Sequence, residues 1–274
     1  MADPLTPKPA DAGVTGELRH DTAVGSTPLT SWSTTAGRSA AHAAVQVSRR
    51  IGAHGALAAT LAIGVVVVFL LAFLASRVYD AVTERDGVAG LDVPVLHAAI
   101  GMRSPVSDGI AAAVAIGFGP VGMPILALVA ILLLALRRRS WTPVILIAAA
   151  GLGSLAMTIA GKDIIGRHRP LHIDAIPPFE TSPSFPSGHT LNATVIAGVV
   201  AYLLVLRRRT AAGRTVTVAA AVVIALVVGL TRILLGAHWF TDVLAGWLLG
   251  LAWLGIVITA HRLYLTARQR GAPA

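Results

Sequence analysis

The chain of 274 residues contains no cysteine. Its fold and chemistry therefore cannot depend on disulfides, thiolate-bound metal ions or a redox pair. Charged residues are also scarce, at 13% of the chain against about 25% in soluble domains. Hydrophobic residues make up 55%, and the mean hydropathy is +0.75. A chain with so few charges was not built to face water on all sides, and its composition indicates a membrane protein.

Six segments of the chain lack Asp, Glu, Lys and Arg and are mostly aliphatic. A helix needs about 17–25 apolar residues to cross the hydrocarbon core of a bilayer, and each segment is long enough. Because backbone amides inside lipid must bond within the protein, we expect these segments to be helices. The predicted fold is all-α, a polytopic membrane helical bundle with six transmembrane helices plus a short interfacial helix. The six segments are Gly55–Ser76, Gly109–Leu136, Ser140–Gly161, Thr190–Leu206, Thr215–Thr231 and Val243–Ala260.

The second segment is too long for one simple span, and it contains Gly119 and Pro120. Because proline removes a helical hydrogen bond, we predict a short interfacial helix over Pro105–Phe118 and the span itself over Val121–Leu136. One long kinked helix is the alternative.

Composition also divides the chain into three regions. Residues 1–50 are rich in Ala, Thr, Ser, Gly and Pro and have no apolar core of the kind that a signal peptide needs, so we predict a disordered cytoplasmic tail. Residues 51–264 contain the six spans. Residues 265–274 are predicted to be a short cytoplasmic C-terminal tail.

Arginines mark one side of the predicted bundle. They lie before the first span, after the second, between the fourth and fifth, and after the sixth, which are positions that share one side. The positive-inside rule makes this side the cytoplasm and places both termini there, in a multi-pass protein of the cell membrane. The net charge of +9 then reflects topology and attraction to the bilayer, and we expect no nucleic-acid partner. The arginines are Arg49, Arg50, Arg137–Arg139, Arg207–Arg209, Arg214, Arg262, Arg268 and Arg270.

Three cations lie at span ends on the opposite, extracytoplasmic side, namely Lys162, Arg169 and Arg232. The planar fork of arginine matches phosphate oxygens, and lysine acts as a mobile point charge. Three cations suit a phosphoryl group with a charge of about −1.5 to −2, and still more its transition state. Each of them alone could instead anchor a helix end against lipid headgroups.

Two histidines lie at the same level as these cations. His189 follows Ser187 and Gly188 at the start of the fourth span, where the free amides of a first helical turn bind anions. His238 and Asp242 are four residues apart, so we expect them on one helical face, where the carboxylate can fix the imidazole tautomer. An ordinary helix start and a structural His–Asp pair are the alternative interpretations. Two histidines among three cations are the minimum equipment for phosphoryl transfer without a metal.

Further acidic and histidine residues lie in the outer loops, but none shows the paired spacing of a metal-binding motif. The adjacent cations would also disfavour a divalent ion. We therefore expect neither a metal nor another cofactor. Interfacial or loop-shaping roles are expected for Asp163, Arg167, His168, His172 and Glu180.

In order and in spacing, three motifs of the chain resemble the signature of the type 2 phosphatidic acid phosphatase family. The resemblance covers roughly residues 55–262, with Thr231 at a position where the family usually has serine. The motifs are Lys162-x6-Arg169-Pro170, Pro186-Ser187-Gly188-His189 and Thr231-Arg232-x5-His238-x3-Asp242.

This resemblance implies a role for each matching residue. His238 would attack phosphorus and become a phosphohistidine, His189 would protonate the leaving oxygen and then activate water, and Asp242 would orient His238. The residues expected to bind the phosphate are Lys162, Arg169, Ser187, Gly188 and Arg232.

These observations predict an integral membrane phosphatase that acts on a lipid phosphate or pyrophosphate taken from the bilayer. Undecaprenyl pyrophosphate, phosphatidic acid and phosphatidylglycerol phosphate are the candidate substrates, and we favour the prenyl pyrophosphate because the site faces outward. A lipid phosphotransferase with the same site and a non-enzymatic anion-binding membrane protein are the alternatives. Gly246-x3-Gly250 could also support a homodimer.

Overall fold

The computed structural model of the chain describes residues 22–82 and 88–271. This part of the chain contains eight α-helices and a small hairpin of two-residue strands, β1 (Ala23–Val24) and β2 (Thr27–Pro28). Short 3₁₀ turns lie at Val88–Leu91 and His172–Asp174. The helices are α1 (Thr35–Val82), α2 (Asp92–Gly101), α3 (Pro105–Gly117), α4 (Gly122–Arg138), α5 (Thr142–Ile165), α6 (Gly188–Val205), α7 (Ala211–Leu234) and α8 (Phe240–Gly271).

Five of these helices, α1, α5, α6, α7 and α8, are long and apolar enough to cross a membrane. The pair α3 and α4 supplies a sixth candidate as a broken span, with a bend of 59° between the two helices. The break falls at Gly119 and Pro120, as predicted, because Pro120 has no N–H with which to continue the helical ladder. The prediction of an all-α membrane bundle is confirmed. The second apolar segment forms two helices, as predicted, and not the single kinked helix of the alternative.

Helix α6 lies at the centre of the bundle and contacts α5, α7 and α8. In a bilayer the stabilisation comes mainly from close packing, since lipid tails are as apolar as the side chains themselves. The apolar residues of α6 that have no exposed surface are Leu191, Ala193, Val195, Val199 and Leu203.

Small residues let α8 approach α6 closely. A Cβ added at Gly246 would lie 2.9 Å from the Thr190 side chain, and one added at Gly250 would lie 2.8 Å from that of Thr194. The Gly246-x3-Gly250 motif therefore serves a contact within the chain. A homodimer stays a prediction, and these two glycines no longer support it.

The N-terminal region departs from the predicted disordered tail. Residues 22–34 lie against the C-terminal half of α8, and α1 begins well inside the region that was expected to be disordered. Arg262 donates from Nε to the carbonyl of Leu29 over 2.7 Å, and its guanidinium lies 4.3 Å from the centroid of the Trp32 ring. Composition could not reveal this contact, because Leu29 and Arg262 are 233 positions apart.

The C-terminal prediction also changes, since α8 continues to Gly271 and residues 265–271 are helical. Residues 1–21 of the predicted N-terminal tail and residues 272–274 of the C-terminal tail lie outside the described residues. The boundary predicted at residue 51 falls beside a break in α1 at Gly52, whose φ of +77° is a conformation that glycine adopts readily.

Candidate active site

All eight predicted site residues lie at one end of the bundle, where α5 and α7 end and α6 and α8 begin. The loop after α5 and the loop after α7 are joined by a backbone hydrogen bond from Ile176 to the carbonyl of Leu235, at 3.0 Å. Ser187 donates its N–H to the carbonyl of Asp242 at 3.1 Å, which ties the start of α6 to the start of α8. The three motifs therefore meet in one place.

The carboxylate of Glu180 lies at the centre of this end. Its Oε2 accepts a hydrogen bond from Arg169 at 2.7 Å, and its Oε1 accepts one from Arg232. The nearest imidazole nitrogens are Nδ1 of His189, 3.4 Å from Oε1, and Nε2 of His238, 3.8 Å from Oε2. The predicted interfacial position of Glu180 is wrong, because the loop after α5 folds inward and brings this carboxylate to the cations, where its bonds also help to hold the loop.

The carboxylate of Glu180 places a negative charge among these cations. Burial alone would raise the pKa of this carboxyl, but the charge of Arg232 lowers it, so the group stays ionised. Arg232 is fully buried, and within the described residues its Nε and Nη1 have no hydrogen-bond partner. A buried guanidinium with unused donors suits an anion that has more oxygens than a carboxylate.

The contacts of His238 define its tautomer. The imidazole is fully buried, and its Nε2 lies 3.2 Å from Nη1 of Arg169. Because a guanidinium can only donate, this contact assigns the lone pair to Nε2, and Nδ1 then carries the proton; it faces Oδ2 of Asp242 at 3.5 Å without an aligned hydrogen bond. Nε2 thus keeps the lone pair that a nucleophile needs. The prediction that His238 and Asp242 share one helical face is wrong, because His238 lies two positions before the first residue of α8. The two side chains nevertheless meet.

Asp242 is held by two residues that the motif signature does not specify. Its Oδ2 accepts from the N–H of Trp239 at 2.9 Å, and its Oδ1 accepts from Arg167 at 2.7 Å. Arg167 also donates to Asp92, at the start of α2, over 2.6 Å. Burial alone would lower the pKa of Arg167, but Asp242 and Asp92 raise it. Sequence reasoning gave Arg167 only an interfacial or loop-shaping role and gave Asp92 none, because no local pattern shows that distant loops bring them together.

His189 is the second residue of α6, and its Nδ1 faces the pocket. Its Nε2 lies 3.1 Å from the carbonyl oxygen of Ala115, which can only accept, so Nε2 carries a proton. Nδ1 is then the nitrogen that is available to give or take a proton. Ala115 lies in the last turns of α3, just before the break between α3 and α4. The end of α3 at this break therefore places the carbonyl that orients His189.

Lys162 contacts the loop that carries Glu180 rather than the carboxylate itself. Its Nζ donates to the hydroxyl of Ser182 at 3.0 Å and to the carbonyl of Pro183. Arg169 donates from Nε to the carbonyl of Ser182 at 2.7 Å, in addition to its bond to Glu180. The two cations of the first motif therefore also hold the loop in its inward position.

Ser187 and Gly188 make helix contacts at the start of α6. Ser187 is fully buried, and its Oγ accepts from the hydroxyl of Thr190 at 2.9 Å. A Cβ added at Gly188 would lie 2.9 Å from the Thr158 side chain, so this glycine allows α6 to pack closely on α5. Phosphate binding by Ser187 and by the amide of Gly188 stays a prediction.

Other polar residues of this end shape the loops. The ring of His172 stacks on Phe179 with centroids 4.6 Å apart, and the carbonyl of His168 accepts from the indole of Trp239 at 2.9 Å. Asp163 is exposed on the last turn of α5. Within residues 22–82 and 88–271, no group of three His, Asp or Glu side chains is arranged to hold a metal ion.

A cavity of about 370 Å³ adjoins the Arg169–Glu180 pair. It is lined by the loop after α5 together with Gly236 and Ala237, and not by the apolar faces of the helices. The pair can therefore be approached from the loop side of the bundle without separation of the spans.

Comparisons with known proteins agree with this arrangement. The PAP2 superfamily model matches residues 142–264. Phosphatidylglycerophosphatase B of Bacillus subtilis (strain 168) is 29% identical over 181 residues, which are 65% of this chain and 87% of the relative. The crystal structure of a transmembrane PAP2-type phosphatidylglycerolphosphate phosphatase from Bacillus subtilis superposes with a TM-score of 0.61 and 27% identity, covering 70% of this chain and 93% of that one.

The matched range explains why the resemblance and the geometry coincide. Residues 142–264 run from the start of α5 into α8 and contain every residue of the three motifs. The related crystal structure is itself a transmembrane protein, in agreement with the apolar helices of this chain. Over these residues the chain is similar to the PAP2 superfamily and to membrane-spanning phosphatases of the PAP2 type.

Proposed function

We propose that this membrane phosphatase of the PAP2 type hydrolyses a lipid phosphate through a phosphohistidine formed at His238. The observation that carries the proposal is the ionised carboxylate held between Arg169 and Arg232, with the nitrogens of two histidines beside it. An anion already lies where a nucleophile and an acid/base converge. A phosphoryl group in that place meets the same donors.

A phosphoryl group can replace the carboxylate of Glu180 only if that side chain moves aside. Glu180 lies on the long loop between α5 and α6. Lys162 and Arg169 hold this loop near the pocket by donating to the hydroxyl and the carbonyl of Ser182. Arg232 has two unused donor nitrogens within the described residues, so it can bond more oxygens than the carboxylate offers. We therefore propose that the entering phosphate displaces Glu180 from the two arginines.

The first chemical step is attack on phosphorus by Nε2 of His238. The N–P bond forms as the bond from phosphorus to the lipid oxygen breaks, and Arg169 and Arg232 stabilise the charge on the phosphoryl oxygens. Protonated His189 gives its Nδ1 proton to the departing lipid oxygen. Asp242 stabilises the positive charge that develops on the His238 ring.

The second step hydrolyses the intermediate. Neutral His189 takes a proton from water at Nδ1, the water oxygen attacks phosphorus, and the N–P bond breaks. Inorganic phosphate leaves, and Nε2 of His238 recovers its lone pair. An alcohol in place of water would give the phosphotransferase alternative, so the ratio of free to transferred phosphate separates the two functions.

Phosphatidylglycerol phosphate is the substrate that we propose. Both relatives are named for the hydrolysis of this lipid, and this chain aligns with most of the length of each. The preference for a prenyl pyrophosphate rested only on the outward position of the site. No contact among the described site residues favours a diphosphate over a monophosphate.

Phosphate release by the purified protein in mixed detergent micelles tests this proposal. Phosphatidylglycerol phosphate, phosphatidic acid and undecaprenyl pyrophosphate are compared at equal surface concentration, with His238→Asn as the matched inactive control. We expect the highest kcat/KM with phosphatidylglycerol phosphate. Faster release from one of the other two lipids would reassign the substrate. No release from any of them, with correctly folded protein, would overturn the lipid phosphatase.

We also propose that the reaction needs no metal ion, because Arg169 and Arg232 supply the charge that a divalent ion would supply. Phosphate release should therefore persist in EDTA. Vanadate should inhibit, since it imitates the five-coordinate transition state. Loss of activity in EDTA that Mg²⁺ restores would contradict this mechanism.

The proposed position of the site is the extracytoplasmic face of the cell membrane. It is supported by the arginines at the other end of the bundle. Because the chain has no cysteine, single cysteines can report the orientation. An impermeant thiol reagent applied to intact cells should label Ile173→Cys, at a position that is 89% exposed beside the site, and should not label Arg208→Cys. The reverse pattern would invert the topology.

A further inference from the structure

Asp92 and Arg167 form a buried polar connection to the site. Asp92 begins α2 and is only 4% exposed, while Arg167 lies on the loop after α5 with a side chain that is 21% exposed. Arg167 donates from Nη2 to Oδ2 of Asp92 at 2.6 Å and from Nη1 to Oδ1 of Asp242 at 2.7 Å. One guanidinium therefore bridges two buried carboxylates from different segments of the chain.

Thr241 completes this connection in the first turn of α8. Its backbone N–H donates to Oδ1 of Asp92 at 2.8 Å, and its hydroxyl lies 2.9 Å from Oδ2 of Asp92 and 2.7 Å from Nη1 of Arg167. Asp92 thus satisfies one of the free amides at the start of α8 from another helix. The first turn of α8, which contains Asp242, is fixed to α2.

Both oxygens of Asp242 are engaged as a result. Arg167 holds Oδ1, and the N–H of Trp239 holds Oδ2 on the side that faces Nδ1 of His238. A carboxylate bonded through both oxygens cannot rotate away from the imidazole that it orients. Without Arg167, Asp92 and Asp242 would be two buried carboxylates with no shared cation, which is an unfavourable arrangement.

We propose that Arg167 and Asp92 are positioning residues for phosphoryl transfer. Asp92 holds Arg167, Arg167 holds Asp242, and Asp242 keeps His238 in the tautomer whose Nε2 is free to attack. This inference rests on the proposed function, since it concerns the same nucleophile.

The same contacts would also serve a purely structural tie between α2 and α8. The two roles affect different quantities. A structural tie sets how much protein folds and how well the folded protein resists heat. A positioning role sets the rate constant for attack by His238 in each folded site, and it leaves the affinity for the bound anion largely unchanged.

The test is the rate constant of phosphoenzyme formation per active site, measured by rapid quench with radiolabelled lipid phosphate. Active sites are counted by the stoichiometry of vanadate binding, which also gives the Kd for vanadate. The variants are Arg167→Gln, Asp92→Asn and the double variant. Arg103→Gln is the matched control, because Arg103 also ties this end together, through the carbonyls of Leu234 and Asp174 at 2.8 Å and 2.6 Å.

We expect Arg167→Gln to lower the rate constant per site by about 10–100-fold, as removal of a partner that orients a functional histidine commonly does. Asp92→Asn should lower it less, because the new amide can still accept from Thr241. The double variant should recover part of the loss of Arg167→Gln, since it restores the charge balance around Asp242. Arg103→Gln should lose thermal stability and keep its rate constant.

An unchanged rate constant per site in Arg167→Gln, with only the yield or the Tm reduced, would overturn the positioning role. If Arg167→Gln does not fold, Asp92→Asn decides alone, and an unchanged rate constant there has the same meaning. A double variant that loses the product of the two single losses would show that the residues act separately. A wild-type protein that forms no phosphoenzyme and releases no phosphate would instead count against the proposed function.

Discussion

The two ends of the bundle both carry arginines and use them differently. At the site end, Arg232 is fully buried and Arg169 is partly buried, with 13% of its side chain exposed, and both donate to the carboxylate of Glu180. At the opposite end, Arg137 and Arg208 are exposed where helices end. A cation removed from water costs several kcal/mol unless it is well paired, on the order given for buried ion pairs in general. An exposed cation at a membrane surface carries no such cost.

This difference separates the arginines that we propose to bind phosphate from those that we propose to set the topology. Arginines of both kinds lie at span ends in the sequence, and composition does not separate them. Burial beside an anion and contact with a histidine do, as in the 3.2 Å approach of Arg169 to Nε2 of His238. The comparison predicts that substitutions at the two ends will affect different properties, with chemistry lost at one and stability or insertion at the other.

Apart from the loss of His238 itself, the largest effect is expected for His189→Ala. General acid catalysis contributes about 10²–10⁴-fold, and it matters most when the leaving group is a lipid alkoxide. The rate constant of phosphoenzyme formation from a lipid monophosphate should fall by that factor, while formation from p-nitrophenyl phosphate, whose leaving group is stable as an anion, should lose much less. Rapid quench on both substrates measures this step, because hydrolysis of the shared intermediate also loses its base in this variant. Equal losses on the two would show that His189 is not the proton donor.

A smaller effect is expected for Arg232→Gln, compared directly with Arg208→Gln from the opposite end. Removal of one donor to a developing anion typically lowers kcat by about 10²–10³-fold. Arg208→Gln should leave kcat unchanged, because its side chain is exposed and far from the motifs. Both are measured as phosphate release per folded protein. Similar losses in the two variants would remove the distinction between the ends.

Glu180→Gln should change affinity in the opposite direction. The carboxylate of Glu180 is ionised and occupies the arginines that an incoming anion needs, so its loss removes an internal competitor. Vanadate should bind more tightly by about tenfold, in the way that any rise in the binding-competent fraction lowers the apparent Kd. Isothermal titration gives the value. Weaker vanadate binding would show that Glu180 supports the bound anion instead of competing with it.

The smallest effect is expected at the opposite end, for Trp32→Ala. This change removes the stacking on Arg262 and a hydrogen bond from the indole to Thr266 of 3.2 Å. The two contacts together are worth about 1–2 kcal/mol. Thermal unfolding in detergent should show a lower Tm with unchanged phosphate release. A loss of activity without a change in Tm would mean that the docked N-terminal segment influences the site.

The sequence was sufficient for the parts of the molecule that depend on local properties. Hydropathy predicted the spans, Pro120 predicted the break between α3 and α4, and the motif spacings placed Lys162, His189 and His238 at one end of the bundle. These predictions succeed because a transmembrane helix is defined by its own length and apolarity.

The sequence did not predict contacts that depend on the path of a loop. Glu180, Arg167 and Asp92 carry no periodic signal, and they reach the site because the loop after α5 folds inward and α2 lies against the first turn of α8. The same reason explains residues 22–34, whose partners on α8 are more than 200 positions away. Long-range contacts of single side chains are not visible in composition or spacing.

The most direct test of the proposed mechanism is to trap the covalent intermediate. The wild-type protein, His189→Ala and His238→Ala are mixed with phosphatidylglycerol phosphate labelled in its terminal phosphate, quenched in alkali, digested and sequenced by mass spectrometry. We expect phosphohistidine at His238, transient in the wild type and longer-lived in His189→Ala, since attack by water then lacks its base. His238→Ala should carry no label. Label retained on His238→Ala, or found on His189 in any of the proteins, would contradict the assignment of the nucleophile.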